Sequence, residues 1–183
     1  MTYKVDISNV ILKCKSKGEK VNIALLYLIS KTVNSRDDYK MYYDFKKNEL
    51  RCYDVFNPTH YVFDSKTETC VMVHSPYSPD YHSFYKRVAD DIEMAKKPGY
   101  VEDSKEYPDY FDASALPWVS YESFDLELPD GYLYFNPIIN WGRFYEDNGK
   151  TMLPITIRMN HAIADGYLLS KFFLTLESFI KDF

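Results

Sequence analysis

Near the end of the chain, "TMLPITIRMNH" runs into "DGYLLSKFF". The first stretch is a β-branched run with strand character. The second places apolar residues at helical spacing. Only a few residues separate them, so a strand must turn sharply into a helix that packs back beside it. The junction holds His161, then Asp165, then Gly166. A carboxylate at a helix start caps free N–H groups, and a glycine there permits a tight entry. His161 stands at the edge of a layer, where clefts form. Two readings fit these residues taken alone. In one, Asp caps, Gly turns and His packs; in the other, His161 is a base.

The rest of the chain supplies partners for that unit. "YKVDIS" alternates as a strand. "NIALLYLISKTVNS" reads as a helix that loads Ile23, Leu26, Tyr27 and Leu28 on one broad face and ends at Asn34-Ser35. "DYKMYYDFKKNELRCYDVFNPTHYVFD" reads as short strands with a turn at Lys46–Asn48, the last two broken at Asn57-Pro58. "ETCVMVHSPYS" is a strand ended by Pro76. "DYHSFYKRVADDIEMAKK" is an amphipathic helix with Tyr81, Phe84, Tyr85, Val88 and Ile92 on its apolar face. A polar, Pro-punctuated loop follows in "PGYVEDSKEYPDYFD". "SALPWVSYESFDLEL", "YFNPIINWGRFYE" and "TMLPITIRMNH" all read as strands, with a turn at Asp147–Gly149, and the last helix spans Gly166–Ile180. There is no regular βαβ alternation and no repeat or linker. The expected fold is α/β, a two-layer sandwich of a mixed sheet with helices on one face, in a single domain over 1–183.

Composition bounds the function. The chain has 183 residues, enough for one domain with a core. A net charge of −5 with no basic run argues against nucleic acid; a CoA-like anion would need local positive charge. No stretch is long enough to span a membrane, and "MTYKVDISNVILKCK" has no signal-peptide core. Cys14, Cys52 and Cys70 are odd in number and lack CxxC spacing. They read as reduced thiols of a cytoplasmic protein, with no disulfide framework and no metal site. Aromatics reach 17%, a content that suits either pocket walls or a large-residue core.

Several stretches together carry a family resemblance. Ser114-Ala115-Leu116-Pro117-Trp118-Val119, then Ser123-Phe124-Asp125-Leu126, then His161-Ala162-Ile163-Ala164-Asp165-Gly166 stand in order and spacing. "FNPIINWGRFY" lies between them, and "LLYLISKTVNS", "VFNPTHYVFDSKTET" and "SPYSPDYHSFY" precede them. In these the chain resembles the chloramphenicol acetyltransferase family along essentially its whole length. The resemblance implies a homotrimer with active sites at subunit interfaces and acetyl transfer from acetyl-CoA, as cosubstrate, to the 3-hydroxyl of chloramphenicol, without a cofactor or metal. It implies His161 as general base and Ser114 as donor to the oxyanion. It makes Asp165 a structural anion. Trp118, Phe124, Leu126 and Tyr134 match positions lining the acyl-CoA channel or acceptor pocket, and each can equally be core.

The departures carry their own expectations. Asn160 replaces a His that is not the base. Asn140 replaces a Thr near the oxyanion. Cys70 and Met72 stand where the acceptor pocket often has Phe and a small residue. Met1 falls just before the strand at "YKVDIS", where the family carries a leading segment with a pocket wall and the Arg that pairs with the Asp. On that basis chloramphenicol binds weakly, turnover is reduced and Asp165 lacks its usual partner. A buried unpaired carboxylate costs about 3–5 kcal/mol; water, a raised pKa, or Arg143 or Arg158 would relieve it. Other outcomes are an acyltransferase for another hydroxyl, a catalytically impaired remnant that serves as a binding module, and, more distantly, a dihydrolipoyl acyltransferase core.

Overall fold

The β-branched run forms the longest strand of the sheet. In the computed structural model, which describes residues 1–101, 107–128 and 133–183, β9 (Lys150–Arg158) lies antiparallel between β1 (Thr2–Asp6) and β7 (Ile138–Trp141). A short β8 (Tyr145–Asp147) folds onto its start. Asn148 and Gly149 join those two with φ of 50° and 75°, the left-handed pair that a tight hairpin needs. Beyond β7 follow β6 (Tyr110–Ala115), β4 (Asn57–Asp64) and β5 (Thr69–His74), giving the order β1-β9-β7-β6-β4-β5. β4, β6 and β7 run parallel; the other pairs are antiparallel. The sheet is mixed, as expected. β2 (Met41–Asp44) and β3 (Glu49–Cys52) form a separate hairpin around Asn48.

Strand parity decides what each face meets. Val5, Phe111, Ala113, Ile139 and Ile155 point to one face and join the main core. That face carries α1 (Ser8–Lys17), α2 (Val21–Asn34), α3 (Tyr81–Ala95) and α4 (Gly166–Asp182). Among the described residues no helix lies on the opposite face, which carries Thr2, Tyr61, Asp112, Ser114, Asn140 and Thr156. Fold class and helix placement agree with the reading from sequence.

Four details depart from that reading. α2 is buried nearly all round, not along one face: Ala24, Leu25, Ile29, Ser30 and Thr32 are buried with the residues named above. It is the central helix, and Ser30 and Thr32 hide their hydroxyls by donating to the Leu26 and Leu28 carbonyls. α1 has no counterpart in the sequence reading. It is lysine-rich, and only Val10 and Cys14 are fully buried along it. Asn57 and Pro58 open β4 and do not break it. Residues 116–128 form no strand; they cross the helix-free face, where Tyr121 donates to the Asn140 carbonyl at 3.0 Å and Lys4 pairs with Glu122 at 2.7 Å. The polar loop before β6 lies partly outside the described residues. Among the described residues no helix is long and apolar enough to cross a membrane.

Candidate active site

Ser114 stands where the sheet splits. β4 and β6 pair only as far as His60↔Ala113. β4 then continues with β5 to Asp64↔Thr69, while β6 stays with β7 through Ser114↔Asn140 and Ala115↔Trp141. A cavity of about 390 Å³ opens between the two halves. Tyr61, Phe63 and Cys70 line one side, and Ser114, Trp118 and Trp141 the other. Ile23 and Leu26 of α2 and Val88 and Ile92 of α3 close its inner end. A mostly apolar cleft with a few polar groups is the usual form of a small-molecule site. The Ser114 hydroxyl is engaged by no described residue. Asn140 is buried beside it on the same face, level with Thr156.

His161 lies elsewhere. Arg158 ends β9 level with Ile138, at the start of β7 and away from the cleft, and His161 follows beyond it. The imidazole is exposed. Its Nδ1 lies 3.1 Å from the Ala164 carbonyl, and a carbonyl only accepts, so Nδ1 donates there and Nε2 is the lone-pair nitrogen of the neutral ring. Asn160 shapes this turn: its side-chain oxygen accepts from the Ala162 N–H at 3.0 Å, and its carbonyl accepts from Ile163 and Ala164. Asp165 is the N-cap of α4 and accepts from the Leu168 N–H at 3.0 Å. Its carboxylate is exposed, which corrects the expectation of a buried charge in need of an Arg. Neither Arg143 nor Arg158 pairs with it among the described residues.

One chain therefore brings together Ser114, Trp118 and Cys70 at the cleft, with Asn140 alongside and Met72 on β5 opposite Tyr61, but not His161. Trp118 packs on Phe63 with ring centroids 4.9 Å apart. Phe124 leans on Tyr121 and Leu126 is exposed; neither lines the cavity. Tyr134 donates to Asp112, as does Tyr61 at 3.4 Å. Burial pushes the Asp112 carboxyl above its ordinary value, against the two phenolic hydrogen bonds, which pull it down. Burial and then the Asp112 charge push the Tyr61 phenol up to about 12. Asp112, Tyr61, His60 and Trp141 escaped the sequence reading. Strand parity could have put Asp112 on Ser114's face, but no local signal marks where β4 parts from β6.

The family profile of chloramphenicol acetyltransferase matches residues 1–177. A chloramphenicol acetyltransferase from Vibrio anguillarum is 31% identical over 182 residues, covering 99% of this chain and 82% of the relative. One from Clostridium perfringens is 32% identical over 188 residues, covering 99% and 86%. Among solved structures, a chloramphenicol acetyltransferase superposes with a TM-score of 0.88 at 19% identity, covering 98% of this chain and 86% of that one. A dihydrolipoamide acetyltransferase from Azotobacter vinelandii gives 0.78 at 14% identity, covering 100% and 80%, a likeness of fold. The two-layer fold and these relatives make the protein an acyltransferase. It belongs to the chloramphenicol acetyltransferase family.

Proposed function

We propose that the protein transfers the acetyl group of acetyl-CoA to the 3-hydroxyl of chloramphenicol, at a site formed by His161 of one chain and the Ser114 cleft of a neighbouring copy in a homotrimer. The observation that carries this reading is the division of labour within one chain. A free serine hydroxyl lines the cleft, while an exposed imidazole with Nδ1 anchored and Nε2 free stands at the far end of the sheet. A second copy can unite them.

An alcohol is a weak nucleophile at neutral pH and needs a base within hydrogen-bond reach. His161 Nε2 takes the hydroxyl proton as the oxygen attacks the thioester carbonyl carbon. The C=O electron pair moves onto oxygen, and Ser114 Oγ–H donates to that oxyanion. Losing one such donor typically costs about 10²–10³-fold in rate. Collapse restores the carbonyl, breaks the C–S bond and expels the CoA thiolate, which takes the proton back from His161. Asn140, level with Ser114, offers an amide to a water near the oxyanion. Trp118 and Cys70 shape the cleft, with Met72, Tyr134, Phe124 and Leu126 around its approach. Arg143, which follows β7 and hydrogen-bonds through its N–H to Val119 beside Trp118, supplies a cation for the CoA phosphates. The protein needs no metal or prosthetic group for these steps and acts in the cytoplasm.

Release of CoA thiol from acetyl-CoA, with and without chloramphenicol, tests the reading. Release that requires chloramphenicol and disappears in His161→Ala is expected. Equal release in the variant refutes the assignment of the base. A second reading, transfer to a different hydroxyl compound, is favoured by Asp112, a half-buried carboxylate on Ser114's face two residues away. Thiol release with a cationic amino alcohol in place of chloramphenicol separates the two.

A further inference from the structure

Two polar groups in the wall of the cleft have no role in the chemistry above. Trp141 is 4% exposed, and its indole N–H is buried with no hydrogen-bond partner among the described residues. Native proteins pair nearly all such donors, and leaving one unpaired is costly. Trp141 lines the cavity beside Ser114.

His60 lines the same cavity and is 6% exposed. Its Nε2 lies 3.0 Å from Ser75 Oγ, and that hydroxyl donates to Asp91 Oδ2 at 2.6 Å. Ser75 has one proton, and the carboxylate takes it. Nε2 therefore donates to Ser75, which leaves Nδ1 as a bare acceptor. Burial, and then the neighbouring His74, holds the ring neutral by lowering its pKa to about 4. The register fixes the spacing. His60 is level with Ala113, and Trp141 with Ala115 one strand further on. Two strand spacings and two residues put their Cα atoms roughly 12 Å apart, on the helix side of the sheet, with the cavity between.

We propose that Trp141 Nε1–H and the His60 Nδ1 lone pair form a donor–acceptor couple that holds a secondary amide of a ligand lying in the cleft next to Ser114. A secondary amide presents a carbonyl on one side and an N–H on the other, which is the complement of this pair. A carboxylate or phosphate would meet only one neutral donor in apolar surroundings. An ammonium would meet only one neutral acceptor. The inference rests on reading the cleft as an acyl-transfer site, and two ligands of that site carry such an amide: the pantetheine arm of CoA and the amide of chloramphenicol.

Equilibrium binding to Trp141→Phe and His60→Phe tests this without requiring turnover. Four probes are used: CoA; 3′-phosphoadenosine 5′-diphosphate, which is its nucleotide part without the amide arm; chloramphenicol; and chloramphenicol hydrolysed to the free amine. Each variant is expected to weaken one amide-bearing ligand about five- to tenfold and to leave its amide-free counterpart unchanged. Weakening of CoA alone assigns the pantetheine arm; weakening of chloramphenicol alone assigns the acceptor. Unchanged affinity for both, equal weakening of amide-bearing and amide-free probes, or a wild type that binds no amide-bearing probe would overturn the inference. Trp141→Phe keeps the test decisive where His60→Phe disturbs folding. Acetyl transfer by the wild type with unchanged variants removes the inference alone. Trp141-dependent amide binding without transfer removes the functional reading alone.

Discussion

Replacing His60 by Phe removes a titrating ring from a site where protonation is costly. In the unfolded chain the imidazole takes up a proton as pH falls through about 6.5. In the folded chain burial and His74 delay this to about 4. Between those values the unfolded state binds more protons, so stability falls as pH falls. The full difference is about 3 kcal/mol below both values, and about 2 kcal/mol is already lost by pH 5. Ser75 and Asp91 keep their mutual hydrogen bond in the variant, and the other titrating groups are common to both proteins. Urea unfolding followed by fluorescence of Trp118 and Trp141 at pH 7 and pH 5 measures the effect. The wild type should lose about 2 kcal/mol more than His60→Phe across that interval. Equal losses would show that His60 takes up its proton in the folded state and that the Ser75–His60 arrangement is misassigned.

Gly142→Ala would place a Cβ 3.0 Å from Pro154 and from the Tyr121 ring. A loss of about 1–3 kcal/mol in thermal or urea unfolding is expected, with residues 116–128 displaced from the sheet. Asp112→Asn should raise stability at neutral pH, because the folded carboxyl holds its proton to higher pH than the unfolded one. The gain shrinks as pH falls toward the carboxylate range, which melting curves of the two proteins at neutral and acid pH would show. Asp165→Ala removes the N-cap of α4 and should cost about 1 kcal/mol, with Asp165→Asn closer to wild type in the same unfolding assay.

What could be read from sequence follows from how local each cause is. β9, α3 and α4 show in the sequence because periodicity, caps and the Asn148-Gly149 turn act within a few residues. α1 does not, because its lysines dilute a short apolar stripe. Residues 116–128 carry strand-like residues, yet β6 already has both its neighbours, and the segment crosses the open face instead. The pairing His-x-x-x-Asp-Gly leaves His161 ambiguous on its own; only the resemblance joins it to Ser114. The cap role of Asp165 follows from local chemistry, whereas its exposure does not. The cleft depends on where β4 leaves β6, a relation between residues about fifty positions apart, and so His60 and Trp141 gave no sign.

Mixing inactive chains shows whether His161 and Ser114 act from different chains. His161→Ala and Ser114→Ala proteins are unfolded together, refolded as a mixture and assayed for chloramphenicol-dependent thiol release. If each site takes its His from one chain and its Ser from a neighbour, random assembly of a closed trimer restores about one quarter of wild-type activity. Activity no higher than that of the two variants assayed separately would place both residues in the same chain's site and contradict the account.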